Sequence, residues 1–193
     1  MPGFWQEVGS RVENNNIPNI LTLFRIVSVP FVIFLLLVGA HLAALALFLL
    51  ASLTDFVDGY IARKRDQISP FGKFADPIAD KLLVAGILIT FIQLDAIAAV
   101  PVVIIIARGF IVTGIRLLGT TEERVISASW LGKVKTVSHI TLIVALTLNL
   151  EFNLGWLEAT ILPLVYFAVG AALVSGIDYL YRNKKLIKDS FQN

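Results

Sequence analysis

Four aspartates stand at helical intervals in the first half of the chain, in the pattern Asp55-x2-Asp58-Gly59-x2-Ala62-Arg63-x8-Gly72-x3-Asp76-x3-Asp80. Asp55 and Asp58 are i,i+3 and Asp76 and Asp80 are i,i+4, so each pair shares one face of a helix. Two such faces opposed offer carboxylate oxygens to a cation. An all-oxygen donor set suits Mg²⁺, Mn²⁺ or Ca²⁺ rather than a soft metal. Without a cation, four clustered acids repel one another and take up protons. Gly59 and Ala62 remove bulk beside the acids and leave room for a ligand or a neighbouring helix. Arg63 supplies a planar fork of donors suited to phosphate. The pattern points to a metal site that handles a phosphate compound. The plainer alternative is that the acids pair with Arg25, Arg63 and Lys81 to tie helices together. Pairing accounts for one or two acids, not for four with Gly and Ala interleaved.

These charges lie in a strongly apolar chain. Of its 193 residues, 57% are hydrophobic and 16% charged, and the mean hydropathy is +0.82. That composition places it among membrane proteins, where a buried acid is expensive and is read as functional. The absence of cysteine excludes disulfides and thiolate metal sites. A net charge of +2 is too small to argue for a nucleic-acid partner. The length suits one domain over 1–193. Residues 1–16 form a polar juxtamembrane segment with Glu7, Arg11 and Glu13. Phe4, Trp5, Val8 and Val12 fall near one helical face, which suits a short helix on the membrane surface, with a frayed terminus as the alternative. The apolar run that follows exceeds a signal-peptide core and reads as a retained span.

Six stretches can cross a hydrocarbon core of about 30 Å, near 17–38, 41–63, 74–93, 98–118, 130–149 and 156–181. Pro18, Pro101 and Pro163 sit near span starts, while Ser69-Pro70 and Asp76-Pro77 offer two alternative starts for the third. The connections near 39–41, 93–98 and 149–156 carry no Lys or Arg. The opposite connections carry Arg63, Lys64, Arg65 and Lys73, then Arg124 and Lys133, then Arg182, Lys184, Lys185 and Lys188. The positive-inside rule makes the second set cytoplasmic, with both termini inside a multi-pass cell-membrane protein. Depth follows from helical rise. Asp55 lies 14 residues from His41 and Asp80 lies 13 from Gln93, each about 20 Å along a helix. Arg25 and Lys135 each lie 14 residues from their span's basic-free end, at Gly39 and Asn149. The expectation is an all-α membrane protein whose six transmembrane helices enclose a polar chamber open to the cytoplasm.

The string D-x2-D-G-x2-A-R-x8-G-x3-D-x3-D resembles the signature of the CDP-alcohol phosphotransferase family, with every fixed position present. The resemblance implies transfer of a phosphoryl-linked group from a CDP-linked donor to an alcohol, with release of CMP, in a homodimer. It implies that Asp55, Asp58, Asp76 and Asp80 hold Mg²⁺ or Mn²⁺ and that Asp80 takes the proton of the acceptor hydroxyl. Asp58, Gly59, Ala62, Arg63 and Gly72 would line the donor side, joined by Thr22 and Arg25 of Asn19-x2-Thr22-x2-Arg25. The segments Asn16–Asn19, Leu53–Gly59, Phe71–Pro77 and Leu131–Thr136 look most like members that join CDP-diacylglycerol to glycerol 3-phosphate. That acceptor is anionic, and Arg108, Arg116, Lys133 and Lys135 are the cations available to it; Arg116 and Lys135 lie in the inner part of their spans. One departure is Gly109, which follows Arg108 where many similar chains carry Glu and which puts Arg108 itself in question.

Other acceptors stay open at this point, among them inositol phosphate, serine and phosphatidylglycerol. Serine would not call for a cluster of cations, whereas inositol phosphate would. A cation transporter is the reading from a different class. The acids lie inward of the midplane and no repeat is apparent, which argues against it. His41 and His139 lack ligand-spaced partners and read as structural. Gly170, Ala171, Ala172 and Gly176 read as a close-packing face. The basic run 182–188 suits contact with anionic lipid.

Overall fold

The computed structural model describes residues 16–65, 70–121 and 130–184; the suggested surface helix before residue 16 lies outside them. Among these residues the chain is helix joined by short turns, with no strand. The helices are α1 (Asn16–Leu37), α2 (His41–Arg65), α3 (Pro70–Gln93), α4 (Ala99–Thr121), α5 (Trp130–Phe152) and α6 (Gly155–Arg182). All six expected stretches are helices, with ends displaced by a few residues. Of the two starts open to the third, the helix begins at Pro70 and carries Pro77 inside it. A first-turn proline has no intrahelical N–H bond to lose.

Four helices are long and apolar enough to cross a membrane: α1 over Ile20–Leu37, α4 over Ala99–Leu117, and α5 and α6 over their full lengths. In α2 the continuously apolar part is the shorter His41–Thr54, because Asp55 opens the charged half. Three connections turn on a left-handed residue, Gly39 (φ 81°), Asp95 (φ 54°) and Asn153 (φ 47°). After α1, Ala40 N–H donates to Leu35 O at 2.9 Å and Gly39 N–H to Leu36 O at 3.2 Å. After α3, Ala96 N–H donates to Phe91 O at 2.9 Å and Asp95 N–H to Ile92 O at 3.1 Å. Both are Schellman caps, which satisfy carbonyls that a helix end otherwise leaves open.

The chain forms two compact units, Met1–Ile87 and Leu88–Asn193. In the first, α1 packs on α2. The buried stripe of α1 is Thr22, Arg25, Ser28, Val32 and Leu36, polar at one end and apolar at the other. Its spacing of three and four residues is that of a helix face. Gly86 of α3 lets that helix approach α1, since a Cβ there would stand 3.1 Å from Val29 Cγ1 and 3.2 Å from Ile33 Cδ1. Gly86→Leu is therefore expected to destabilise the protein by about 1–3 kcal/mol, as overpacking does. Thermal unfolding in detergent would show it as a lowered Tm, with Gly86→Ala much closer to the parent. An unchanged Tm for Gly86→Leu would mean that the α1–α3 approach is not tight.

In the second unit α6 packs on both α4 and α5. Its buried stripe, Val165, Ala168, Ala172, Ser175, Gly176 and Tyr179, is rich in small residues, which lets helix backbones come close where lipid offers no hydrophobic driving force. Large apolar side chains face outward instead, among them Val103, Phe110, Phe167 and Ile177. Trp130 and Trp156, at the first turns of α5 and α6, are exposed in the manner of interfacial anchors.

Candidate functional site

In the first unit the polar end of α1 meets the acidic half of α3. Thr22 and Arg25, one turn apart, are fully buried at 0% and 1% exposure. Thr22 Oγ1 donates a hydrogen bond to Asp76 Oδ1 across 54 positions of sequence. A residue expected on the donor side is thus joined to one expected at the metal. One turn further on, Asp80 forms an ion pair with Lys81, its own side chain 42% exposed. Pairing between an acid and a base therefore does occur at this motif acid. The backbone of Asp55, Asp58, Gly59, Ala62 and Arg63 is helical in α2, and that of Gly72 in α3; their side chains lie outside the described residues. Among the described residues no group of three His, Cys, Asp or Glu is arranged to hold a metal ion. Asp55–Asp58 and Asp76–Asp80 each lie within one continuous helix, so each pair keeps the shared face that its spacing demands.

The Thr22–Asp76 bond carries a testable consequence. A hydroxyl that holds a carboxylate in place tunes any metal that the carboxylate binds, and losing such a partner costs about 10–100-fold in metal affinity or activity. Thr22→Val keeps the shape and removes the donor. The divalent-cation concentration for half-maximal activity is expected to rise at least about tenfold, with most of kcat recovered at saturating cation. An unchanged cation requirement would leave Thr22 to the donor nucleotide alone.

The second unit contains a different polar constellation. Arg108 of α4 points at α6, where its Nη2 donates to Ser175 Oγ at 3.0 Å. Ser175 Oγ in turn donates to Ala171 O at 2.6 Å, which fixes its rotamer. A Cβ at Gly176 would stand 3.0 Å from Arg108 Cγ, so the glycine makes the berth through which the arginine stem passes. Arg108 Nε and Tyr179 Oη are buried with no hydrogen-bond partner among the described residues. Tyr179 is 5% exposed and packs with Val112 and Ile115. Arg116 follows about 12 Å further along α4 and is exposed. A buried guanidinium N–H and a buried phenol without partners among the described residues leave this cluster short of an acceptor, because buried donors normally have one.

The other two expected cations sit on α5. Lys133 is exposed and Lys135 half-buried; two positions apart on a helix, they stand about 200° apart and do not share a face. Ser175 and Tyr179 escape the sequence reading, and Gly176 appears there only as a packing residue. The available signal is Ser175-x3-Tyr179, which puts two hydroxyls on one face beside that glycine. Asp178 accepts from Arg182 Nε at 2.7 Å.

Four helices long and apolar enough to span a bilayer, beside helices that carry paired aspartates, describe a membrane protein with charged residues in its helices. The comparison with known families gives that class its particular form. The chain belongs to the CDP-alcohol phosphatidyltransferase family, whose model matches residues 15–174. Members of this family generally depend on a divalent cation. The chain is 42% identical over 191 residues to the CDP-diacylglycerol–glycerol-3-phosphate 3-phosphatidyltransferase of Bacillus subtilis (strain 168), covering 91% of this chain and 98% of that protein. It is 35% identical over 176 residues to the protein of the same name from Rickettsia bellii (strain RML369-C), covering 89% and 97%. Its counterpart in Escherichia coli (strain K12) is 36% identical over 172 residues, covering 86% and 93%. Helices and family together make this a multi-pass membrane enzyme.

Proposed function

We propose that this chain transfers the phosphatidyl group of CDP-diacylglycerol to glycerol 3-phosphate, giving phosphatidylglycerol phosphate and CMP. Arg108 carries the acceptor: it is held by Ser175 and berthed by Gly176, and its Nε and the Tyr179 hydroxyl are buried donors without a partner among the described residues. A phosphate monoester supplies the acceptor oxygens those donors lack, with Lys135 and the more exposed Arg116 and Lys133 as further cations. The names of the similar proteins agree with this acceptor.

The donor set of Asp55, Asp58, Asp76 and Asp80 is all carboxylate oxygen, which fits a hard cation. These four residues would hold Mg²⁺ or Mn²⁺, which when bound neutralises charge on the donor pyrophosphate and on departing CMP. Thr22, Arg25, Asp58, Gly59, Ala62, Arg63 and Gly72 take the CDP moiety. Asp80 accepts the proton of the attacking glycerol hydroxyl. As that oxygen bonds to the phosphatidyl phosphorus, the phosphoanhydride bond breaks and its electron pair leaves on CMP. All six helices cross the membrane, including α2 and α3, whose acids and basic ends face a polar chamber open to the cytoplasm. Both termini lie on that side, by the distribution of Lys and Arg. The chain works as one domain, since the family match runs through both units, and as a homodimer in the cell membrane.

The test is CMP release by purified protein with CDP-diacylglycerol and Mg²⁺ or Mn²⁺, with and without chelator. Glycerol 3-phosphate, inositol phosphate, serine and phosphatidylglycerol are offered in turn. The expected result is chelator-sensitive release with glycerol 3-phosphate alone. Release with another alcohol would keep the reaction and overturn the acceptor.

A further inference from the structure

At the opposite end of the second unit from Lys133, Lys135 and Arg182 there is a cavity of about 610 Å³. It is lined by Asp95 of the α3–α4 turn, Asn149 of α5 and Glu158 of α6, and by the apolar wall of Val100, Ile161, Leu162, Val165 and Tyr166. From Glu158 to Tyr166 the wall runs eight residues along α6, or about 12 Å. That size falls within the roughly 300–1,000 Å³ of small-molecule sites and is far more than one ion needs.

The charged residues of the lining have one sign. Asp95 and Glu158 are carboxylates that accept and do not donate. Asn149 Oδ1, on the same wall, is an acceptor buried from solvent with no hydrogen-bond partner among the described residues. No Lys or Arg occurs from Leu82 to Ala107 or from Thr136 to Tyr181, so these stretches contain no cation to meet the acceptors. A buried acceptor without a donor is costly and calls for one. The rest of the wall is mostly apolar, and its Val100 (70% exposed), Leu162 (60%) and Tyr166 (68%) face outward, where a membrane presents lipid.

We propose that this cavity binds an amphiphile with a primary-ammonium headgroup, an aminophospholipid. The ammonium donates to Asp95, Glu158 and Asn149 Oδ1, and an acyl chain lies along Leu162, Val165 and Tyr166. Primary ammonium matches the site because it combines positive charge with three N–H donors. A quaternary ammonium has the charge without the donors. The site is separate from the residues assigned to phosphatidyl transfer, so CMP release serves as a control for folding.

Lipid binding to the full-length protein in detergent, followed by native mass spectrometry, tests this. The probes are phosphatidylethanolamine, phosphatidylcholine and phosphatidylglycerol of matched acyl chains, together with soluble ethanolamine. Phosphatidylethanolamine is expected to bind about tenfold more tightly than phosphatidylcholine, the difference made by charge-assisted hydrogen bonds. The double variant Asp95→Asn, Glu158→Gln should remove that preference while leaving CMP release intact. Asparagine also tolerates the left-handed conformation at position 95, so the turn survives. Leu162→Trp, which fills the apolar arm, should weaken the lipid without making soluble ethanolamine bind. Equal binding of the three lipids by the parent protein would overturn the proposal, and that comparison needs no variant. So would a preference that survives the double variant, or soluble ethanolamine binding as tightly as the lipid.

Discussion

Replacing Asp80 with asparagine is expected to lower kcat by about 10²–10⁴-fold, the range a positioned general base supplies, while CDP-diacylglycerol still binds. The structure separates Asp80 from its neighbour. Asp76 accepts the Thr22 hydroxyl, which occupies a lone pair and suits it to a fixed ligand role. Asp80 keeps a 42% exposed side chain beside Lys81. The substitution also weakens the Asp80–Lys81 pair, but partly exposed ion pairs contribute only about 0–1 kcal/mol to stability. Unfolding therefore does not account for a loss of this size. The check is single-turnover CMP release paired with equilibrium binding of the donor. Near-normal turnover would remove Asp80 as the base. Loss of donor binding along with turnover would move it wholly into the cation site. Asp76→Asn makes the contrast, since its defect is expected to be relieved in part by higher cation concentration.

Much of this architecture is legible in the sequence for local reasons. Gly39, the 94–98 segment and Asn153 interrupt apolar runs of bilayer length, and each marks a turn made by one left-handed residue. The motif aspartates reveal their helices through spacing alone. The start of α3 is less legible, because a proline at position 70 or at position 77 is equally compatible with a helix's first turn. In the structure the helix runs through Pro77. Such an interior proline is tolerated in membrane helices, where neighbouring groups re-satisfy the carbonyl it frees. Contacts between distant residues leave no local trace. The Thr22–Asp76 bond spans 54 positions and the Arg108–Ser175 bond 67, and no periodicity in one helix records what another presents to it. Gly176 shows the same limit: in sequence it is one more small residue on α6, and only the fold reveals the arginine it admits. Arg108, which the unusual Gly109 put in question, has a built position on α6, while Lys133 and Arg116 are the more exposed of the four cations.

That built position makes the acceptor side the second place where a single change should have a large effect. Arg108→Ala is expected to lower kcat/KM for glycerol 3-phosphate by about a hundredfold, since hydrogen bonds to a charged group contribute about 1.5–3 kcal/mol. KM for CDP-diacylglycerol should move little. Lysine is a poor substitute because it lacks the planar fork that reaches Ser175 and a second acceptor together. Tyr179→Phe removes one buried hydroxyl that has no hydrogen-bond partner among the described residues, so its fold cost is small, and about a tenfold rise in the acceptor KM is expected. Gly176→Leu completes the set. Even a Cβ would press on Arg108 Cγ at 3.0 Å, and the longer side chain displaces the arginine without altering its charge. If Arg108 acts on the acceptor from that berth, Gly176→Leu should reproduce the acceptor defect of Arg108→Ala, and combining the two should add little, as expected for residues that share one role. Full additivity would separate the glycine's packing from the arginine's chemistry. An Arg108→Ala enzyme with normal acceptor kinetics would leave Arg116 and Lys135 to bind the phosphate, and would make the Arg108–Ser175 bond a link between α4 and α6 alone.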